Sequence, residues 1–259
     1  MPAKGLDRDY ITEYSLGYGE VWSIAVPNIK GGASGVLGNF SNEMKQVSPQ
    51  FRENVAGFPS YWGEQAGTGG AFYFGAVIFL LFVLGMVLIK DNLKWAFLAI
   101  ILLALALSWK HGLIIDFFIK HVPLFNKFRD TKMILTLAQV LIPLVALLFI
   151  NNLLKKIPNH RILLYSAGIT IGIFLLFYMI PSLWFSFFNG EELAFFDKQI
   201  SLYPDALQQI NQFQAEIRDM RITIFRADIL RTILFMGVAI LLIALFIKKK
   251  MAQQYFLVG

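Results

Sequence analysis

Lys127 and Arg129 alternate with Phe125 and Phe128 in the stretch KHVPLFNKFRDTK (120–132), which also holds Lys120, His121 and Lys132 and lies between two strongly apolar runs. Pro123 disfavours a helix continuing through it. Cations held at headgroup depth beside aromatic rings suit a lipid phosphate, because screening is weak there and a guanidinium can engage two phosphate oxygens at once. Lys120, His121, Lys127 and Arg129 are therefore candidate lipid-phosphate ligands. Nonspecific contact with anionic headgroups is the alternative reading.

A second group of residues has the chemistry of a sugar site. PSYWGEQAGTGGAFYFG (59–75) places Tyr61, Trp62, Glu64 and Gln65 just before an apolar run, followed by Gly67, Gly69 and Gly70. Aromatic rings beside a carboxylate, with glycines that let the backbone approach a ligand, make a plausible sugar or acceptor cavity, against an interfacial aromatic belt with a hinge. Glu20, in YSLGYGEVWSIAVPNIKGGASG (14–35), is a candidate second carboxylate, with an exposed loop Glu the favoured alternative. Neither stretch contains a phosphate-cradling glycine motif, so nucleotide binding is unsupported. The chain has no cysteine, and its His residues at 111, 121 and 160 lack metal-site spacing. No metal, cofactor or catalytic residue is assigned.

The elements that must position these residues are membrane helices. With 57% hydrophobic and only 15% charged residues, the 259-residue chain is too apolar for a soluble domain of its length. The spacing of apolar runs predicts an all-α integral membrane protein with about five transmembrane helices, over 71–89, 93–109, 133–150, 162–184 and 229–247. Gln139 and Pro143 in the third suggest that it faces protein more than lipid. Gly168 and Gly172 give the fourth a G-x-x-x-G register open to close helix approach or to lipid. Lys90 and Lys94, then Lys155, Lys156 and Arg161, then Lys248 to Lys250 fall in alternate connections, which puts that side in the cytoplasm. Residues 1–70 and 185–228 are then extracytoplasmic, and the basic stretch 120–132 breaks the rule its neighbours obey. The net charge of +6 is topological on this reading and does not imply nucleic acid.

Within the outer segment 185–228, Ile210, Phe213, Ile217, Met220 and Ile224 recur at helical spacing, which predicts an amphipathic helix on the membrane surface or on the other outer loops. Leu113 to Ile119 is too short to span and is expected at the interface. Asp228 and Arg231, three apart in FRADILRTILF (225–235), should form an ion pair at the interface, with ligand binding the alternative. Residues 1–70 carry no leader, and 251–259 reads as the start of a further segment, so further parts of the same protein are expected before and after this chain.

KGLDRDYITEYSLGYGEVWSIAVPNIKGGASG (4–35), YWGEQAGTGGAFYFGAVIFLLFVLG (61–85), HVPLFNKFRDTKMILTLAQ (121–139) and FRADILRTILF (225–235) follow one another in an order that resembles the bacterial YfhO-like polytopic membrane proteins, particularly the long versions of the Bacteroidetes. The resemblance implies part of a larger GT-C-like helical bundle in the bacterial cytoplasmic (inner) membrane. There a sugar would pass from a polyprenyl-phosphate carrier to a cell-envelope acceptor on the outer face, with membrane lipids and the lipid-linked sugar as partners. It also implies a catalytic carboxylate upstream of Met1. A transporter or flippase of lipid-linked sugars and a noncatalytic membrane scaffold are the rival readings.

Overall fold

The computed structural model describes residues 5–66 and 72–248. Gly67, Gly69, Gly70, Ala71, Lys249, Lys250 and the segment 251–259 lie outside the described residues. The chain is all-helical, at 70% helix, with no strand among the described residues. Seven helices have nine residues or more: α1 (Ala76–Leu88), α2 (Leu93–Leu107), α3 (Leu113–His121), α4 (Leu135–Lys155), α5 (His160–Met179), α6 (Gly190–Leu202) and α7 (Leu207–Ile247). Three stretches are long and apolar enough to cross a membrane: Thr131–Lys155, His160–Met179 and Pro204–Ile247. At about 1.5 Å per residue, α1 and α2 rise only about 20 and 22 Å, short of a roughly 30 Å hydrocarbon core. Three helices of spanning length thus stand where five crossings were expected, with two shorter apolar helices packed beside them.

Local chemistry explains each boundary. α1 begins only at Ala76 because Gly75 takes φ +114°, and it ends where Lys94 Nζ donates to the carbonyls of Met86 (2.7 Å) and Ile89, covering its last turn. α5 stops at Met179, five residues before the expected end. Pro181 supplies no N–H, and Ile180, preceding it, leaves the helical region at φ −130°, ψ 62°. The amphipathic segment and the last span form one 41-residue helix, α7. Neither Gly nor Pro occurs from 207 to 236, so nothing breaks it. At about 62 Å it is about twice a roughly 30 Å hydrocarbon thickness, longer than one crossing requires.

α1 is the hub, packing against α4, α5 and α7. At Gly85 a Cβ would meet Val145 Cγ1 at 2.9 Å and its carbonyl at 3.1 Å, so this glycine brings α1 and α4 together. Gly168 and Gly172 do not act this way, since a Cβ at either would meet nothing within 4 Å. Gln139 faces outward beside Leu137 and Val140, while Pro143 is half-buried, and 33% of this helix's apolar window is buried inside the protein.

The apolar helices alternate between two ends. At one, here the head end, residues 5–66 are hydrogen-bonded to helix ends and to the middle of α7. Leu16 N–H donates to Ser108 O (2.7 Å), Phe74 N–H to Ile24 O (3.0 Å), and Asn28 N–H to Asp228 Oδ2 (2.7 Å). Ile24, Ala25, Val26 and Ile29 are inserted into the helix core. A second, smaller core joins Leu37, Met44, Phe51 and Val55 to Ile217, Met220 and Ile224 of α7, so the amphipathic face packs on the head-end loops. Asp228 also pairs with Arg231 at 2.7 Å, as their spacing predicts. The other end gathers Lys90, Lys94, Lys155, Lys156, Arg161 and Lys248, with Asp91 the acidic residue among them.

Candidate functional site

The loops of the head end bring three of the expected sugar-site residues into one polar group. Gly19, at φ +74°, turns the chain into a short 3-10 helix, Glu20–Ile24, which carries Glu20 inward until it is 2% exposed. Its carboxylate accepts from Gly17 N–H and from the Tyr61 hydroxyl. Burial, reinforced by the negative charge of Glu20, pushes the Tyr61 phenol far above its ordinary value, so it remains a donor. Glu64 lies against Gly17 and accepts from Tyr18 N–H at 3.1 Å and from His111 Nε2. Burial acts to raise its pKa, but these hydrogen bonds outweigh it and hold the carboxyl below the usual range.

Lys30 was not singled out by sequence, and it completes the group. Gly31 and Gly32 adopt φ +86° and +81°, folding the chain back so that Trp62 N–H donates to Lys30 O at 3.0 Å. The Lys30 ammonium then sits 4.0 Å above the Trp62 ring and 5.6 Å from that of Phe185. Burial pulls its pKa down from 10.5 to about 8, although Glu20 and Glu64 both act in the opposite direction.

Lys30 is the charged residue lining a cavity of about 480 Å³ at the head end. The walls are Tyr18, Val21 and Trp22 on one side, Leu105, Ala106 and Trp109 at the end of α2, and Phe177, Trp184 and Phe185 beyond α5. Trp109 and Trp184 are both partly exposed. None of Glu20, Tyr61, Trp62 and Glu64 lines this cavity. Glu64 stands behind Gly17 and Tyr18, while Trp62, 1% exposed, lies beneath Lys30. The arrangement offers apolar aromatic walls for a lipid or a sugar face and one desolvated cation for an anion.

The basic loop holds the head region in place. Leu6 N–H donates to Asn126 O at 2.9 Å, and Ser15 and Thr131 share a buried hydroxyl contact of 2.7 Å. Arg129 donates to Glu13 (2.6 Å) and the Tyr14 hydroxyl (2.9 Å) with its guanidinium over the Tyr10 and Tyr14 rings, and the Glu13 hydrogen bond raises its pKa further. Lys132 Nζ reaches Gln65 at 2.7 Å. Leu124 and Asp130 both take φ +67°, the strained backbone that lets this loop turn so tightly. Lys120 and His121 close α3, where the His121 ring packs on Phe117 (4.9 Å), and Lys127 is exposed at the end of the following turn.

Among the described residues, no three His, Asp or Glu side chains converge as a metal site requires. No protein-family model, curated protein or solved structure matches the chain. Sequence reasoning missed Lys30 and His111 because neither belongs to a local motif. The one signal for Lys30 was its place immediately before the Gly31–Gly32 pair.

Proposed function

We propose that this chain forms the carrier-binding part of a bacterial inner-membrane glycosyltransferase that resembles the YfhO-like proteins and uses a polyprenyl-phosphate-linked sugar. The single observation that carries this reading is the desolvated Lys30 ammonium in an aromatic cavity between the ends of α2 and α5. The isoprenoid would lie along the apolar walls at the depth of Trp109 and Trp184, with its phosphate on Lys30. In sugar transfer the acceptor oxygen attacks the anomeric carbon, the bond from that carbon to the phosphate oxygen breaks, and a base takes the acceptor proton. Lys30 would stabilise the charge left on the phosphate. Glu64, held as a carboxylate, would accept from sugar hydroxyls at the rim, with Glu20, Tyr61 and Trp62 fixing the loop behind it. Lys120, His121 and Lys127 would draw the anionic carrier toward the site, while Arg129 stays committed to Glu13.

The pH dependence tests this assignment. Only the protonated amine holds the phosphate, so carrier affinity should be constant below about pH 8 and fall about tenfold per unit above it. Lys30→Arg should remove that fall up to pH 10. Lys30→Ala should weaken carrier binding about a hundredfold, the loss expected when a buried charged contact is truncated. Binding that ignores both substitutions would refute the reading, and carrier movement across vesicles without glycosidic bond formation would make the protein a flippase. The same shift affects stability with a definite sign. Below about pH 8 the amine is charged in both folded and unfolded chains, and the burial cost is fully present. From pH 8 to 10.5 the unfolded chain binds more protons, so stability rises with pH through that window.

The proposed orientation places the head end outside. The chain has no cysteine, so a single one reports cleanly. Leu124→Cys, at a position 69% exposed, should react with an impermeant thiol reagent on intact cells, and Ile157→Cys, at the lysine-rich end, only after permeabilisation. The reverse pattern would invert the topology.

A further inference from the structure

A second cavity, of about 500 Å³, lies at the lysine-rich end, opposite the head. It is bounded by the end of α1, the end of α4, and the turn that leads into α5. Lys90 and Lys156 stand at its mouth, both exposed, and neither is paired with a carboxylate among the described residues. No acidic residue lines it. The rest of the wall is largely apolar: Phe149 on α4 is buried at its base, and Val87 on α1 and Ile162 on α5 flank it, 48% and 45% exposed. Asn159 uses its side-chain oxygen to accept from Arg161 N–H, which leaves its amide N–H groups for another acceptor.

We infer that this cleft is a binding site for the phosphate of an anionic membrane lipid from the leaflet at the lysine-rich end. The chemistry is divided as such a molecule is: two unpaired ammoniums at headgroup depth, and directly below them a slot of aliphatic and aromatic side chains between helices. A free phosphate or other small anion would satisfy the ammoniums and leave the slot unfilled. A lipid phosphate fills both and joins the ends of three helices, α1, α4 and α5. The site is independent of the function proposed for the head end, because it shares no residue with it.

The test is titration of the detergent-purified full chain with dioleoylphosphatidylglycerol, read by native mass spectrometry. The wild-type chain should hold one tightly bound lipid, and Lys90→Ala with Lys156→Ala should weaken that binding about 30-fold, at roughly 1 kcal/mol per lysine. Lys90→Arg with Lys156→Arg should stay within about threefold of wild type, because the charges are kept. Lys248→Ala, which removes a charge from the same end outside the cleft, should change nothing. Wild-type affinity in the double alanine variant would overturn the site, and an equal loss in Lys248→Ala would reduce it to net charge. Inorganic phosphate that displaces the lipid completely at equal concentration would replace the lipid with a free anion. The double alanine variant should unfold at the wild-type temperature in the absence of lipid, since both side chains are exposed and unpaired.

Discussion

Arg221→Ala is expected to destabilise the head region by about 3–5 kcal/mol, the usual result of removing one partner from a buried ion pair. Arg221 is 1% exposed, and its guanidinium makes four hydrogen bonds. Two go to the Glu192 carboxylate, at 2.8 and 2.6 Å, one to Phe187 O at 2.7 Å, and one to Pro59 O at 2.8 Å. The Phe58 and Phe188 rings lie 5.5 and 5.3 Å from it. One side chain on α7 thus ties together the loop that precedes Tyr61, the turn before α6, and α6 itself. Phe187 is held at φ +64°, a costly conformation that aims its carbonyl at the guanidinium. Glu192 also closes the capping box of α6 with Asn189, so its orientation is fixed from two sides.

Truncation removes the guanidinium donor from the Phe187 and Pro59 carbonyls and leaves the buried Glu192 carboxylate with the Asn189 N–H but no cation. The thermal unfolding midpoint of the purified protein, followed by tryptophan fluorescence, should drop by roughly 6–20 °C for a chain of this size. Arg221→Lys should recover only part of this, because an ammonium cannot make the paired contacts of the guanidinium. A midpoint within 1 °C of wild type for Arg221→Ala would mean that the apolar packing of α7 alone holds the head region.

Gly31→Ala should be nearly as damaging, by a different mechanism. A Cβ at this position would lie 1.9 Å from the carbonyl oxygen of Ser60 and 2.6 Å from its carbon, both backbone atoms that no rotamer change can move. The left-handed φ of +86° adds about 1–2 kcal/mol for any residue with a Cβ. A loss of at least 3 kcal/mol is expected and, if the proposed function holds, loss of carrier binding with it, because the same turn places Lys30 over Trp62. Gly168→Ala and Gly172→Ala serve as controls. Each adds a methyl group into open space on a helix, and alanine is favoured there by roughly 0.5–1 kcal/mol, so both should be neutral or slightly stabilising. If Gly31→Ala were tolerated as well as these two, the loop would not have the shape described.

Much of the fold is written locally. The long apolar runs give α4, α5 and the second half of α7, and alternating lysines mark the end at which those runs terminate. The three-residue spacing of Asp228 and Arg231 gives their ion pair. The 3- and 4-residue recurrence from Ile210 to Ile224 gives the face that packs on the head-end loops. Where sequence reasoning went astray, a local signal was set aside. Pro181 ends α5 early, and the absence of any Gly or Pro from 207 to 236 merges two expected elements into one helix. Gly168 and Gly172 show the opposite failure, since their spacing permits a close helix and no helix in the described chain comes near. Gly85 is used that way and has no small partner four residues on to mark it.

The candidate site was legible in its residue types and not in its arrangement. Composition and periodicity by themselves determined that the chain is helical and suited to a membrane, because burying backbone polar groups in hydrocarbon leaves helices as the answer for such runs. The sequence also marked Tyr61, Trp62, Glu64 and Glu20 as a group of interest. Tertiary structure decided that Lys30 is the desolvated cation beside the cavity, that His111 partners Glu64, and that Arg129 is spent on Glu13. The His111–Glu64 and Arg129–Glu13 pairings join residues 47 and 116 positions apart in the chain. Ionic and hydrogen-bond contacts act over a few ångströms of space, and only the docking of residues 5–66 onto the helix ends brings those groups within that distance.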